Sequence, residues 1–139
     1  LLYENADEYR SRRIARAIVD YRKNKKISSA SELSEIVSKS IPAKGRVNPA
    51  TKTFQALRIA VNDELKNLEQ FFAQVLQVLN TGGRIAVISF HSLEDRIVKN
   101  NFKKEPWVVI NKKPITPSAE EVKNNPRARS AKLRVAAKR

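Results

Sequence analysis

Residues Thr81–Phe102 read TGGRIAVISFHSLEDRIVKNNF, and this stretch decides the fold. A Gly82-Gly83 turn leads into an apolar run, Arg84–Phe90, in which Ile85, Ala86, Val87 and Ile88 are consecutive. A β-branched-rich run of this length, bounded by glycines, predicts a strand buried on both faces. A helical pattern starts directly after it. Ser92 offers its hydroxyl as an N-cap, and Asp95 stands three residues on, where a capping-box acid belongs. Strand, loop and helix in that order form the repeating unit of an α/β sheet. In such sheets ligands sit beyond the carboxyl ends of the strands. Chemistry is therefore sought in the polar cluster Ser89, His91, Ser92, Glu94, Asp95 and Arg96.

Upstream, the chain is helical. Residues 1–8 are polar and acidic, and a helix is expected from Tyr9 or Arg10 with Ile14, Ala17, Ile18 and Tyr21 on one face. Arg12, Arg13 and Arg16 fall off that face, as a solvated helix surface or as phosphate contacts. Ser29 with Glu32 reads as a capping box for a helix carrying Leu33, Ile36 and Val37, which should end before Pro42. Pro42–Val47 is a basic loop. Asn48 is a good N-cap with Pro49 in the first helical position. From Phe54 to Leu79 apolar residues recur at three- and four-residue steps, giving one long helix or two with a bend near Asp63–Asn67. Arg58 and Asn62 share a face of it, either as a solvated edge or as a substrate-facing pair.

Downstream, Leu93, Ile97, Val98 and Phe102 define a short amphipathic helix, and Trp107–Ile110 a second strand. Lys112–Pro117 is an extended loop whose two prolines bar it from a central strand. Ser118 caps a turn or two of helix, broken at Asn125-Pro126. From Ser130 on, Ala131, Leu133, Val135 and Ala137 alternate with Lys132, Arg134 and Lys138, predicting a strand with one face buried and the other basic.

Composition narrows the function. The 139 residues suffice for one domain with a core, yet contain no methionine, so the chain is expected to be a piece of something longer. The absence of cysteine excludes disulfides and thiolate chemistry, and a single histidine excludes a His-rich metal cluster. Gly45, Gly82 and Gly83 are the only glycines, too few for a Gly-x-Gly-x-x-Gly cradle or a Walker loop. With no membrane-length apolar run and no signal-peptide core, a cytoplasmic protein is the default. The net charge is +14, and residues 99–139 carry twelve Lys or Arg against three acids. Such clustering favours a polyanion, with nucleic acid ahead of a membrane surface, over a merely solubilising surface.

Two chemistries are disfavoured by pattern. A Ser-His-Asp hydrolase would draw on Ser89 or Ser92 with His91 and Asp95, but adjacent strand residues point to opposite faces, so Ser92 and His91 do not naturally converge, and no Gly-x-Ser-x-Gly elbow is present. His91 has two readings, as the lining of a pocket or as the hydrogen-bonded support of the turn. The Asp/Asn/Ser-Pro-Pro-aromatic signature of amino-group methylation is approached only by Glu105-Pro106-Trp107, which has one proline and opens a strand.

Several runs nevertheless converge on one family. They are Ser11–Ile18 (SRRIARAI), Phe54–Leu65 (FQALRIAVNDEL), Gly82–Lys99 (GGRIAVISFHSLEDRIVK), Lys113-Pro114-Ile115 and Asn125–Val135 (NPRARSAKLRV). In this order they resemble the bacterial 16S ribosomal RNA cytosine-N4 methyltransferases of the MraW type, over nearly the whole chain. The resemblance is to the C-terminal half of that family. It implies an α/β fold: the last part of a seven-stranded class I, Rossmann-like methyltransferase sheet, with the end of a helical insertion domain. Residues 1–47 would be the end of the insertion, and residues 48–139 the C-terminal half of the methyltransferase domain with its last three strands. One departure is Asn48, where the family usually has histidine.

The resemblance also implies methyl transfer from S-adenosylmethionine to N4 of a cytidine, with the cofactor's main loop upstream and no metal. It points to Ser89, His91, Ser92 and Asp95 as the wall of the base pocket, with Arg58 and Asn62 nearby. The expected partner is 16S ribosomal RNA or the small ribosomal subunit. Expected phosphate contacts are Arg127, Arg129, Lys132, Arg134, Lys112 and Lys113, with Arg12, Arg13 and Arg16 as further candidates. The competing reading is a non-catalytic basic RNA-binding module. A sheet ending at its fifth strand would expose an apolar edge, to be covered by the missing N-terminal half or by a second copy in a homo-oligomer.

Overall fold

A computed structural model describes residues 1–42 and 47–139. The loop expected over Pro42–Val47 thus falls, at residues 43–46, outside the described residues. The chain forms two compact units, residues 1–64 and 65–139.

The first unit is helical: α1 (Leu2–Ala6), α2 (Ser11–Asn24), α3 (Ala30–Ser40) and α4 (Thr51–Val61). Its core is Ile14, Val37, Ile41 and Ala50, with Leu2, Ile18, Leu33 and Phe54 packed around them. α1 packs on α4 and α2 on α3. The short α1 is absent from the sequence reading because five residues carry almost no periodicity. It forms because tertiary contact holds it: Ala6 is buried, Asn5 Nδ2 donates to the Ala56 carbonyl at 3.4 Å, and Lys52 Nζ donates to that of Asp7 at 2.9 Å. Ser29 caps α3, accepting from the Glu32 amide at 3.1 Å. The Glu32 carboxylate turns to Ser28 instead of Ser29, so the box is offset by one residue. Asn48 stops the chain before α4 by accepting from the Ala50 amide at 2.8 Å, and the helix proper starts only at Thr51.

The long apolar pattern resolves into two helices. α4 ends at Val61, Asp63 adopts a left-handed φ of 50°, and α5 spans Glu64–Val78. In the second unit, α5 is followed by β1 (Arg84–Ser89), α6 (Ser92–Asn101), β2 (Trp107–Val109), α7 (Ala119–Asn124), a 3₁₀ turn at Pro126–Ser130 and β3 (Lys132–Lys138). The sheet order is β1-β3-β2, both pairings antiparallel. The result is a mixed α/β unit with three strands among the described residues.

Its core lies between one sheet face and the helices. Phe72 of α5, Ile85, Val98 and Phe102 of the α6 region, Trp107 and Ala136 are buried together. The rings of Phe72 and Phe102 meet edge-on with centroids 5.5 Å apart, and Phe102 and Trp107 lie at 5.6 Å. Burying each such side chain contributes roughly 1.5–3 kcal/mol. Gly83 is required at the α5–β1 turn: a Cβ there would stand 2.8 Å from the Asn80 carbonyl and from Leu79 Cδ1.

Two expectations about the strands are overturned. β1 is buried on one face only: Ile85 and Ser89 are buried, whereas Ile88 is 57% exposed. The uncovered face continues through Leu133 and Val135 on β3, which register against Ile88 and Ala86. β3 is also inverted relative to its alternation, because its basic face is the inward one. Arg134 and Ala136 are buried, while Leu133, Val135 and Ala137 are half-exposed. The inward cations are tolerated because each has a partner. Arg134 and Lys132 reach Asp95, and Lys138 Nζ donates at 2.7 Å to the carbonyls of Leu76 and Leu79, the C-terminal end of α5.

Candidate functional site

The loop leaving β1 is held by a capping arrangement one residue earlier than its pattern suggests. His91, not Ser92, is the N-cap of α6. His91 Nδ1 accepts from the Glu94 amide at 3.3 Å. Glu94 Oε2 accepts in return from the amides of Phe90 at 2.8 Å and His91 at 3.3 Å. The other ring nitrogen, Nε2, lies 3.3 Å from Glu94 Oε1 and is buried without a hydrogen bond among the described residues. Burial pushes the Glu94 carboxyl up, but the His91 ring and the two backbone amides outweigh it and hold its pKa below the usual value. His91 is therefore the hydrogen-bonded support of the turn.

Behind the loop lies an ion-paired cluster. Ser89 registers against Lys132 and Val87 against Arg134, so both cations share the face of the sheet on which Ser89 lies. α6 packs on β1 and β3 and brings Asp95 to them. Arg134 donates through Nε to Asp95 Oδ1 at 2.7 Å and through Nη2 to Oδ2 at 3.2 Å, and Lys132 Nζ stands 3.5 Å from Oδ2. The Arg134 bond is the main reason that the Asp95 carboxyl is held below its usual range, against the opposing pull of burial. Ser89 is buried and donates to the Lys132 carbonyl at 3.4 Å.

The structure thus brings Ser89, His91, Asp95, Lys132 and Arg134 together in one unit. It does not join them as a nucleophilic triad, since His91 Nδ1 is occupied by the Glu94 amide and Asp95 by Arg134. Ser92 is exposed at the first turn of α6. Arg58 and Asn62 belong to the helical unit, where both reach Glu64: Arg58 Nε at 2.7 Å, Arg58 Nη2 at 3.0 Å and Asn62 Nδ2 at 3.3 Å.

Exposure separates the basic candidates. Arg127, Arg129, Lys112, Lys113, Arg12, Arg13 and Arg16 are exposed, Lys132 is half-exposed, and Arg134 is buried with its charge engaged by Asp95. Arg127 and Arg129 ride on the 3₁₀ turn, which Ala128 anchors by burial and Asn125 caps through the Arg127 amide at 3.3 Å. The Lys112-Lys113 loop is fastened by Asn111. Its Nδ2 donates to the carbonyls of Lys113 at 2.8 Å and Leu133 at 3.1 Å, and its Oδ1 accepts from the Val135 amide at 2.6 Å.

Sequence reasoning missed Glu94 as the second half of the cap, Asn111 as the clamp, and Phe90, which is 54% exposed at the strand exit. The signal for Phe90 was present: one aromatic interrupts an otherwise polar cluster. Asn111 has no such signal, because two of its three partners, Leu133 and Val135, lie more than twenty residues away on β3.

The polar loop at the exit of β1 and the exposed cations of the 3₁₀ turn thus stand at one end of the sheet. The chain belongs to the MraW methylase family, whose model matches residues 1–139. Similar proteins bear the name ribosomal RNA small subunit methyltransferase H. The one from Nostoc sp. is 51% identical over 142 residues, covering 99% of this chain and 46% of the relative. That from Rippkaea orientalis is 52% identical, covering 98% and 45%. That from Synechocystis sp. is 53% identical, covering 99% and 46%. The chain spans about half the length of the relatives it matches. Among the described residues, no helix is long and apolar enough to cross a membrane.

Proposed function

We propose that this chain is part of an S-adenosylmethionine-dependent methyltransferase that methylates N4 of a cytidine in small-subunit ribosomal RNA, in the cytoplasm. The carrying observation is the family match along all 139 residues, which includes the rigid polar exit of β1. On this reading residues 1–47 belong to a helical insertion, and the three strands are the last of a seven-stranded class I sheet.

The exocyclic amine of cytosine is a weak nucleophile, because its lone pair is delocalised into the ring. Catalysis then depends on holding the base in line with the methyl donor. This chain would supply the holding surface. His91 and Glu94 fix the loop, Asp95 with Arg134 fixes the helix that follows, and Ser89 and Ser92 border the exit. Arg127, Arg129, Lys112, Lys113 and Lys132 would take backbone phosphates, with Arg12, Arg13 and Arg16 as a second set and Arg58 and Asn62 as further pocket candidates.

S-adenosylmethionine supplies an electrophilic methyl group when bound. The residues described here do not fit it as its main cradle. Gly83 of the one glycine pair is pressed against Leu79 and Asn80 to close the turn, and the sequence holds no glycine-rich segment that would let a backbone approach the cofactor's ribose and carboxylate. Its main loop is assigned outside these 139 residues. The test is transfer of a labelled methyl group to small ribosomal subunits by the protein containing this chain, with the product nucleoside identified by mass spectrometry. N4-methylcytidine is expected; methylation of another atom or base overturns the proposal.

A further inference from the structure

We propose that Phe90 is a stacking platform for an unpaired nucleobase, flanked by phosphate contacts from the 3₁₀ turn at Pro126–Ser130; this deepens the RNA reading above and rests on it. Phe90 lies between two inward residues: Ser89 is 2% exposed, and the His91 side chain is 9% exposed. Phe90 itself is 54% exposed. The loop has no slack with which to bury it, because the Phe90 amide is bound to Glu94 Oε2 at 2.8 Å and the next residue caps α6. An apolar ring is thus held in water by a fixed backbone, where hydrophobic collapse would otherwise have drawn it in.

What surrounds the ring selects its ligand. β1 ends where β3 begins, with Ser89 registered against Lys132. The turn bearing exposed Arg127 and Arg129 runs directly into β3, so these cations stand at the same end of the sheet as Phe90. Neither arginine forms a side-chain hydrogen bond or an ion pair among the described residues. An aromatic face with unpaired cations at the same end of the sheet is the arrangement that stacks successive bases of a single strand while the cations follow its backbone. A duplex hides its base faces and cannot use the ring. An apolar protein partner would not account for the arginines.

The test uses the protein containing this chain with a short unpaired RNA, the same RNA as a duplex, and inorganic polyphosphate. Trp107 is 8% exposed and shielded from a surface ligand, and the signal of an added indole is read as the difference from the unsubstituted protein. In Phe90→Trp, indole fluorescence should be quenched by the unpaired RNA and not by duplex or polyphosphate. Phe90→Leu and Phe90→Ala should each weaken unpaired-RNA binding by roughly ten-fold or more, with the salt slope unchanged, while Phe90→Tyr retains it. Circular dichroism and melting confirm that each variant is folded. Full binding by Phe90→Leu, or equal quenching by duplex, overturns the stacking site and leaves RNA binding through the arginines standing. Failure of the unsubstituted chain to bind RNA at all overturns both.

Discussion

Arg134 and Asp95 are 39 residues apart in sequence and joined by two hydrogen bonds, 2.7 and 3.2 Å, that tie the middle strand to the first turn of α6. Both side chains are nearly buried, at 9% and 12% exposure. Removing one partner strands the other's charge. Arg134→Ala should therefore cost about 3 kcal/mol in unfolding free energy. The double change Asp95→Leu/Arg134→Met should cost less than either single change summed with the other. Urea denaturation of the four variants measures the coupling; strict additivity would show that the pair is not interacting.

Acid should loosen both units through carboxylates held below their ordinary values. The Arg134 bond, aided by Lys132, depresses Asp95 from 3.8 against the pull of burial. Its contribution is complete above the unfolded value and is lost as pH falls through the lower folded one. In the helical unit, Lys25, the Ser28 amide and Tyr21 hold Glu32 at about 2, down from 4.5, so its contribution disappears between those limits. Glu32→Gln should flatten the acid limb of helical-unit stability over that range. Carboxyl titration followed by NMR reads both groups, and a Glu32 midpoint near 4.5 would refute the claim.

The cap at His91 predicts an order of substitutions. Asn or Asp at position 91 can accept from the Glu94 amide, whereas Ala cannot. His91→Ala should cost about 1 kcal/mol, and His91→Asn should recover most of it. Thermal melting gives the comparison. Equal loss in both variants would mean that His91 acts through something other than its ring acceptor.

Lys138 terminates α5 by donating to the carbonyls of Leu76, in its last turn, and Leu79, just past its end, both at 2.7 Å. Lys138→Met keeps the apolar stem but removes the donor and the charge at the negative helix end. A loss of about 1 kcal/mol is expected. Faster amide exchange at the end of α5 should accompany it; protection unchanged there would argue against the cap.

For RNA binding, Arg127→Ala/Arg129→Ala should lower affinity and reduce the salt slope by about 1.4 for a single strand. Arg134→Ala, if folded at the temperature used, should leave the slope alone, because that guanidinium already faces Asp95. Filter binding across a salt series distinguishes the two. An equal slope change in both would return Arg134 to the phosphate contacts.

Much of this could be read in the sequence because it is local. Strand β1 and helix α6, the break between α4 and α5 as one of two options, and the Ser29 and Ser118 caps all follow from periodicity and short-range chemistry. The inward turn of Lys132, Arg134 and Lys138 was misread because alternation says which residues share a face, not which face is buried. That choice was made by Asp95 and by the end of α5, both distant in sequence. β1 was read as doubly buried from its composition, yet in this unit only one side is covered. At the candidate site, residue types were legible while roles were not. Asp95 reads as a capping acid or a pocket wall until Arg134 is found against it, and His91 keeps two readings, pocket lining or turn support, until its ring nitrogen is found on a backbone amide.

The order β1-β3-β2 has a consequence for how the chain is made. β3 comes last of the three strands, yet among the described residues it lies between the other two and pairs with both. As the polypeptide emerges from a ribosome, both of these pairings must wait until residues 132–138 have cleared the exit tunnel. This part of the sheet then closes in one late, non-local step. A translation stall ahead of Lys132 would leave β1 and β2 without their shared neighbour and open to chaperones.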